Sequence, residues 1–233
     1  MLDAEQMKIT HVYYDYKPVK VADKRRCELA KKTWSKLSWN DRKIESSKMG
    51  RLFVEGNASL PYIRDVIDAG AEGLSTKDLI VFTKNDTCVA QETIEEIKKA
   101  AARVPAFYCI RREFKKELNE PMSDINIKMG LMYKKNPADL FGFTAQWWKV
   151  NRRNFPAMIM GRERWDVILT TLIDECGLWP DTVLNDIVYH EMHDSFWSEP
   201  DIKIKLSGNR VNYDLAVAFF KKRGLSHEKF GFK

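Results

Sequence analysis

Asp78-Leu79-Ile80-Val81-Phe82-Thr83 (DLIVFT) runs directly into Lys84-Asn85-Asp86-Thr87, and this decade of sequence decides the fold class. A short, unbroken apolar run bounded by polar residues reads as a strand buried on both faces, as in the middle of a sheet covered by helices. The run stops at Asn85-Asp86, residue types that suit a turn.

Upstream, Lys8 to Tyr14 (KITHVYY) reads as a first strand. Lys24 to Leu37 then sets Cys27, Ala30, Trp34 and Leu37 on one helical stripe. Arg51 to Glu55 (RLFVE) is a second short strand, followed by a helix over Leu60 to Gly70 with Ile63, Val66, Ile67 and Gly70 at helical spacing. Downstream, Ile94, Ile97, Ala101 and Val104 mark another helix, Ala106 to Arg111 a strand, and the polar stretch Lys115 to Pro137 an excursion. Leu140 to Phe143 resumes a strand, and Trp147-Trp148 flank the next element. Arg164 to Cys176 is helical, with Trp165, Ile168, Leu169, Leu172 and Cys176 as its apolar stripe and Gly177 as its stop. Asn212 to Arg223, with Leu215, Ala216, Phe219 and Phe220 inward, ends in a basic turn and Gly224. Alternating strands and helices predict an α/β domain with a mixed, mostly parallel sheet flanked by helices. The reading takes 7–233 as one domain and 1–6 as an N-terminal extension.

Of the 233 residues, 44% are hydrophobic and 31% charged, which fits a globular chain and not a disordered one. No apolar run approaches the roughly 18–20 residues a membrane span needs, and the first residues are polar, so a cytoplasmic address and no membrane span are expected. Cys27, Cys88, Cys109 and Cys176 are scattered, without a CxxC pair, and read as reduced core thiols. The net charge of +6 comes largely in doublets such as Arg25-Arg26, Arg111-Arg112 and Arg152-Arg153, compatible with solvated faces or with an anionic partner such as nucleic acid.

Three clusters can carry chemistry. Asp86 lies just past the most buried strand, at the edge where open α/β sheets bind ligands. Tyr189-His190-Glu191-Met192-His193-Asp194 brings two histidines together, but three apart, whereas a zincin needs H-E-x-x-H with histidines four apart. Gly161-Arg162-Glu163-Arg164-Trp165-Asp166 leads into a helix, with Glu163 and Asp166 on one side, where carboxylates also favour the helix dipole. Trp147 and Trp148 are candidates for a stacking platform.

The order of elements from Lys8 to Trp197, with a buried strand closed by an acidic turn, resembles the GT-A fold of glycosyltransferases. In that family a DxD signature closes this strand and holds a divalent cation, Mn²⁺ or Mg²⁺, against the diphosphate of a nucleotide sugar. This chain departs from the signature: Lys84 stands where the first Asp would be, and Asn85-Asp86-Thr87 keeps one carboxylate. The resemblance implies a nucleotide-sugar donor at Asn85 and Asp86, with Arg25, Arg26 and Asp65 as further donor contacts. It implies Asp86 with His190 or His193 at the cation, and Glu163 or Asp166 as acceptor-side base. Arg162, Trp147 and Trp148 would contact the acceptor, a glycan or DNA carrying hydroxylated bases. A metal-dependent hydrolase or nuclease and a non-enzymatic nucleic-acid-binding protein are the alternatives.

Overall fold

The strand Leu79–Thr83 (β5) is buried along its whole length, and alternation along it divides the interior in two. In the computed structural model, which describes residues 7–14, 20–45, 49–56, 58–132, 138–178, 180–193 and 207–226, Ile80 and Phe82 face one apolar layer while Leu79 and Val81 face the other. The first layer also takes Val12, Phe141 and Phe143 and is covered by α2 (Ile63–Ala71), α5 (Ala145–Asn151), α6 (Trp165–Asp174) and α7 (Ser207–Lys222). The second takes Phe107, Cys109 and Leu140 and is covered by α1 (Val21–Trp34) and α3 (Thr93–Ala101).

The six-stranded sheet has the order β11-β7-β10-β5-β1-β2, formed by β1 (Ile9–Tyr14), β2 (Asn40–Ile44), β7 (Ala106–Ile110), β10 (Ala138–Thr144) and β11 (Val183–Leu184) around β5. β1 runs parallel to both β2 and β5, and β11 parallel to β7. β10 is antiparallel to β5 and to β7. The carboxyl ends of β1, β5 and β7 therefore open on one edge, together with the start of β10.

A second, four-stranded sheet, ordered β6-β12-β8-β9, is built from β6 (Cys88–Val89), β8 (Arg112–Phe114), β9 (Leu131–Met132) and β12 (Val188–Glu191). β6 follows β5 after the acidic turn, and β8 continues from β7, so this sheet folds over the same edge. A short helix, α4 (Asp124–Lys128), lies between β8 and β9. β3 (Leu52–Glu55) and β4 (Ala58–Pro61) form a separate hairpin.

Several elements differ from the sequence expectation. Asn40–Ile44 (NDRKI) carries no apolar alternation because it is an edge strand with much of its side-chain surface in solvent. The helix expected over Leu60 to Gly70 starts at Ile63, after a strand ending at Pro61. The helix expected over Lys24 to Leu37 runs from Val21 to Trp34. The excursion at Lys115 to Pro137 holds α4 and β9, and its residues 133–137 lie outside the described ones. The 1–6 extension also lies outside them. Among the described residues no helix is long and apolar enough to cross a membrane.

Gly142 shows how tightly the centre is packed. It pairs with Phe107 across β10 and β7, and a Cβ there would stand 2.1 Å from the edge of the Phe107 ring. Overpacking of this kind costs about 1–3 kcal/mol. Gly142→Ala is therefore expected to lower the urea midpoint by that amount of stability at an unchanged m-value.

Candidate functional site

Strand pairing explains how Asp86 and the late histidines meet. Asp86 lies in the turn between β5 and β6, and β12 pairs antiparallel to β6 with Tyr189 opposite Cys88. One residue further on β12, His190 is drawn alongside the turn. Its Nε2 lies 3.0 Å from Asp86 Oδ2, and His193 Nε2 lies 3.3 Å from the same oxygen. Helix α1 fixes the turn from behind: the Trp34 indole N–H donates to the Thr87 carbonyl at 2.9 Å, and Thr33 Oγ1 accepts from the Val89 N–H at 3.1 Å.

Burial alone would raise the Asp86 carboxyl, but the charge and hydrogen bonds of His190 and His193 outweigh it and hold the group well below the usual range. Asp86, His190 and His193 offer one ligand atom each, all within 4.8 Å of one another. One carboxylate and two imidazoles suit a first-row transition ion better than Mg²⁺, which favours oxygen donors. Among the described residues the buried Nδ1 of His190 and Oδ1 of Asn85 have no hydrogen-bond partner.

Below the cluster is a charge network that the sequence did not announce. Asp139, at the start of β10, is fully buried between Arg111 Nη1, 2.8 Å from its Oδ2, and Lys84 Nζ, 2.6 Å from its Oδ1. The Lys84 contact is a close ion pair. Burial raises the Asp139 carboxyl, but Arg111 and Lys84, with a contribution from His190, bring it down to about 2. Burial likewise disfavours the charge on Lys84, yet Asp139 and Asp166 hold its ammonium above the ordinary value. Arg111 also grips Glu113 Oε1, with its Nε at 3.0 Å and Nη2 at 2.6 Å. The Arg111-Arg112 doublet is thus no solvated face: Arg112 Nε donates to Asp186 at 2.5 Å. The sequence had singled out Lys84, as the departure from DxD, together with Asp166 and the Arg111-Arg112 doublet, but not Asp139 or Glu113.

Asp166 joins it, with Oδ2 3.2 Å from Lys84 Nζ and its side chain partly exposed in the first turn of α6. Glu163 sits in the preceding turn, where Gly161 and Arg164 both take positive φ. Asn212 holds this turn: its Nδ2 donates to the Ile159 and Glu163 carbonyls at 3.0 and 2.9 Å, and its Oδ1 accepts from the Ile159 N–H at 2.7 Å. The Glu163 carboxylate is 3.8 Å from Arg164 Nε.

The remaining candidates fall elsewhere. Arg25 grips both Glu191 carboxylate oxygens at 2.7 Å, and Arg26 reaches Glu191 Oε1 at 3.2 Å while also pairing with Asp23. Both arginines therefore brace the end of β12 next to His190. Asp65 lies 3.5 Å from Arg51, and Arg162 is paired with Glu55, whose other oxygen receives the Gly208 N–H at 2.6 Å. Trp147 and Trp148 are core residues, 6% and 2% exposed and packed on Phe143, with indole N–H groups bound to Cys176 and Asp68. The two rings expected to form a stacking platform are thus packed largely within the core. Cys27, Cys88 and Cys109 are buried free thiols, as expected, and Cys176 is partly exposed. Asp194 lies outside the described residues.

No protein-family model matches the chain, and no curated protein matches it. Among solved structures it is similar to S. aureus TarS 1–349 in complex with UDP-GlcNAc, with a TM-score of 0.50 and 11% identity over 95% of this chain and 74% of that one. A second structure of S. aureus TarS 1–349 gives a TM-score of 0.47 and 12% identity over 95% and 73%. At such identity the likeness to the UDP-GlcNAc complex is one of fold, and with the sheet described above it gives this chain a GT-A-like α/β architecture.

Proposed function

We propose that the protein is a glycosyltransferase that moves a sugar from a nucleoside-diphosphate donor to an acceptor hydroxyl, with 7–233 acting as one transferase domain. The observation that carries this reading is the single carboxylate of Asp86, at the end of the central buried strand, converging with His190 and His193 on a GT-A-like fold. The structural neighbour holds UDP-GlcNAc, which supports a uridine diphosphate sugar as the first donor to test.

Glycosyl transfer breaks the bond between the anomeric carbon and the diphosphate oxygen, whose electron pair leaves with the nucleoside diphosphate. A divalent cation held by Asp86, His190 and His193 would stabilise that growing charge. The acceptor oxygen bonds to the anomeric carbon and gives up its proton. We assign that proton to Asp166, which is partly exposed and stands beside Lys84 near the same edge. Arg111 is committed to Asp139 and Glu113, so its part is to hold the floor of the site together.

Three outcomes are expected. UDP with Mn²⁺ at a hundredfold excess over Kd should add about 2.7 kcal/mol, or roughly 5–10 °C in Tm, and Asp86→Ala should abolish the shift. Mn²⁺ should outperform Mg²⁺ in the same assay, and a chelator should reverse the gain. Asp166→Asn should retain UDP-dependent stabilisation while losing about 10²–10⁴-fold in turnover, a split that Glu163→Gln should lack. Donor transfer to hydroxymethylated DNA and to a glycan precursor separates the two acceptor classes. No stabilisation by any nucleotide, together with sugar-independent phosphodiester cleavage that survives Asp86→Ala, would replace this reading with a hydrolase.

A further inference from the structure

Four of the ten large apolar side chains that stand exposed among the described residues fall within eight positions: Ile125 and Met129, each 79% exposed, Leu131 at 54% and Met132 at 44%. Single exposed apolar residues are ordinary, but a cluster of them marks a contact surface. The fold builds this one. In α4, Ile127 is fully buried and anchors the helix to the core. Ile125 and Met129 lie two residues to either side of it, about 200° around the helix, and share the outward face as an i,i+4 pair. Gly130 then passes so close to the Phe114 ring that a Cβ would meet it at 2.7 Å, which holds the junction of α4 and β9 against β8. Leu131 and Met132 point to opposite faces of β9, so the sheet presents apolar side chains along its outer edge.

The charge around this cluster is positive. Lys128 precedes Met129, and Lys115-Lys116 follow Phe114, on which Gly130 packs. All three lysines are exposed and form no ion pair among the described residues. The carboxylates of the same stretch are turned elsewhere: Glu117 lies 3.2 Å from Arg25 and Glu120 3.8 Å from Lys32, both on α1, while Asp124 accepts from the Gln91 N–H at 3.2 Å. A second copy of the chain fits such a face poorly, because two-fold pairing sets lysines near lysines, and β9 offers an edge of only two residues. Nucleic acid satisfies the lysines but leaves the apolar side chains without a dry partner. An anionic lipid surface satisfies both. We propose that α4 and β9 form a membrane-docking face, which seats Ile125, Met129, Leu131 and Met132 at the headgroup boundary of an anionic bilayer while Lys115, Lys116 and Lys128 meet its phosphates. Apolar burial and basic attraction are each weak, and together they hold a peripheral protein at a bilayer without a spanning helix.

The test is flotation of the full chain with vesicles of phosphatidylcholine alone and of phosphatidylcholine mixed with phosphatidylglycerol, at low and high salt. The wild type should float with the mixed vesicles, less so at high salt, and not with the neutral ones. Ile125→Ser with Met129→Ser should weaken that binding by about tenfold or more, and the combined Lys115→Ser, Lys116→Ser and Lys128→Ser by about a hundredfold. Val150→Ser, which removes a 62% exposed apolar side chain on α5, should leave it unchanged. Every substituted side chain is exposed, so circular dichroism should show the variants folded. A wild type that does not bind the mixed vesicles overturns the proposal, as does undiminished binding by the Ile125 and Met129 variant, which reduces it to general attraction of a basic chain. A wild-type dimer in sedimentation that this variant dissociates gives the face to a second copy instead, and DNA binding lost in the lysine variant, without vesicle binding, gives it to nucleic acid. None of these outcomes bears on the Asp86 site, which stabilisation by UDP reads separately.

Discussion

Burial of both faces of β5 is the constraint on which the rest of the structure depends. A strand whose Leu79 and Val81 point one way and Ile80 and Phe82 the other needs an apolar layer on each side, so helices must cover the sheet above and below. The only place such a strand can meet water and polar side chains is its end. That is why Lys84, Asn85 and Asp86 gather where Thr83 leaves the core, and why β7 and β10 deliver Arg111 and Asp139 to the same edge.

Concentrating charge at a buried edge has a cost that only mutual compensation offsets. Asp139 would be expensive to bury alone, but it lies between a guanidinium and an ammonium, and its carboxyl is brought down to about 2. Asp86 is treated in the same way by two imidazoles. The floor and the mouth of the site thus use different partners. Fixed cations hold the floor, while two histidines hold the mouth.

The second sheet converts sequence distance into contact. β6 and β8 extend the chain beyond the central strands, and β12 inserts between them, so His190 reaches a turn more than a hundred residues earlier in the chain. Arg25 and Arg26 on α1 brace Glu191 at the end of that strand. Their basic doublet is part of the scaffold of the site, a role that residue type alone does not distinguish from diphosphate contact.

The sequence by itself determined the α/β class, the central strand, the main helices and the Asp86 turn, because each depends on local patterns: an unbroken apolar run, a 3.6-residue stripe, a glycine stop. It also exposed His190 and His193 through residue type, and Lys84 as a substitution in an acidic motif. It could not show β2, whose exposed edge carries no alternation, nor that Trp147 and Trp148 are interior, since an aromatic pair reads alike in a core and on a platform. Only the tertiary structure decided which charges share a site. Ion pairs among Lys84, Arg111, Asp139 and Asp166 join separate elements, and long-range pairing leaves no periodicity in the chain that forms it.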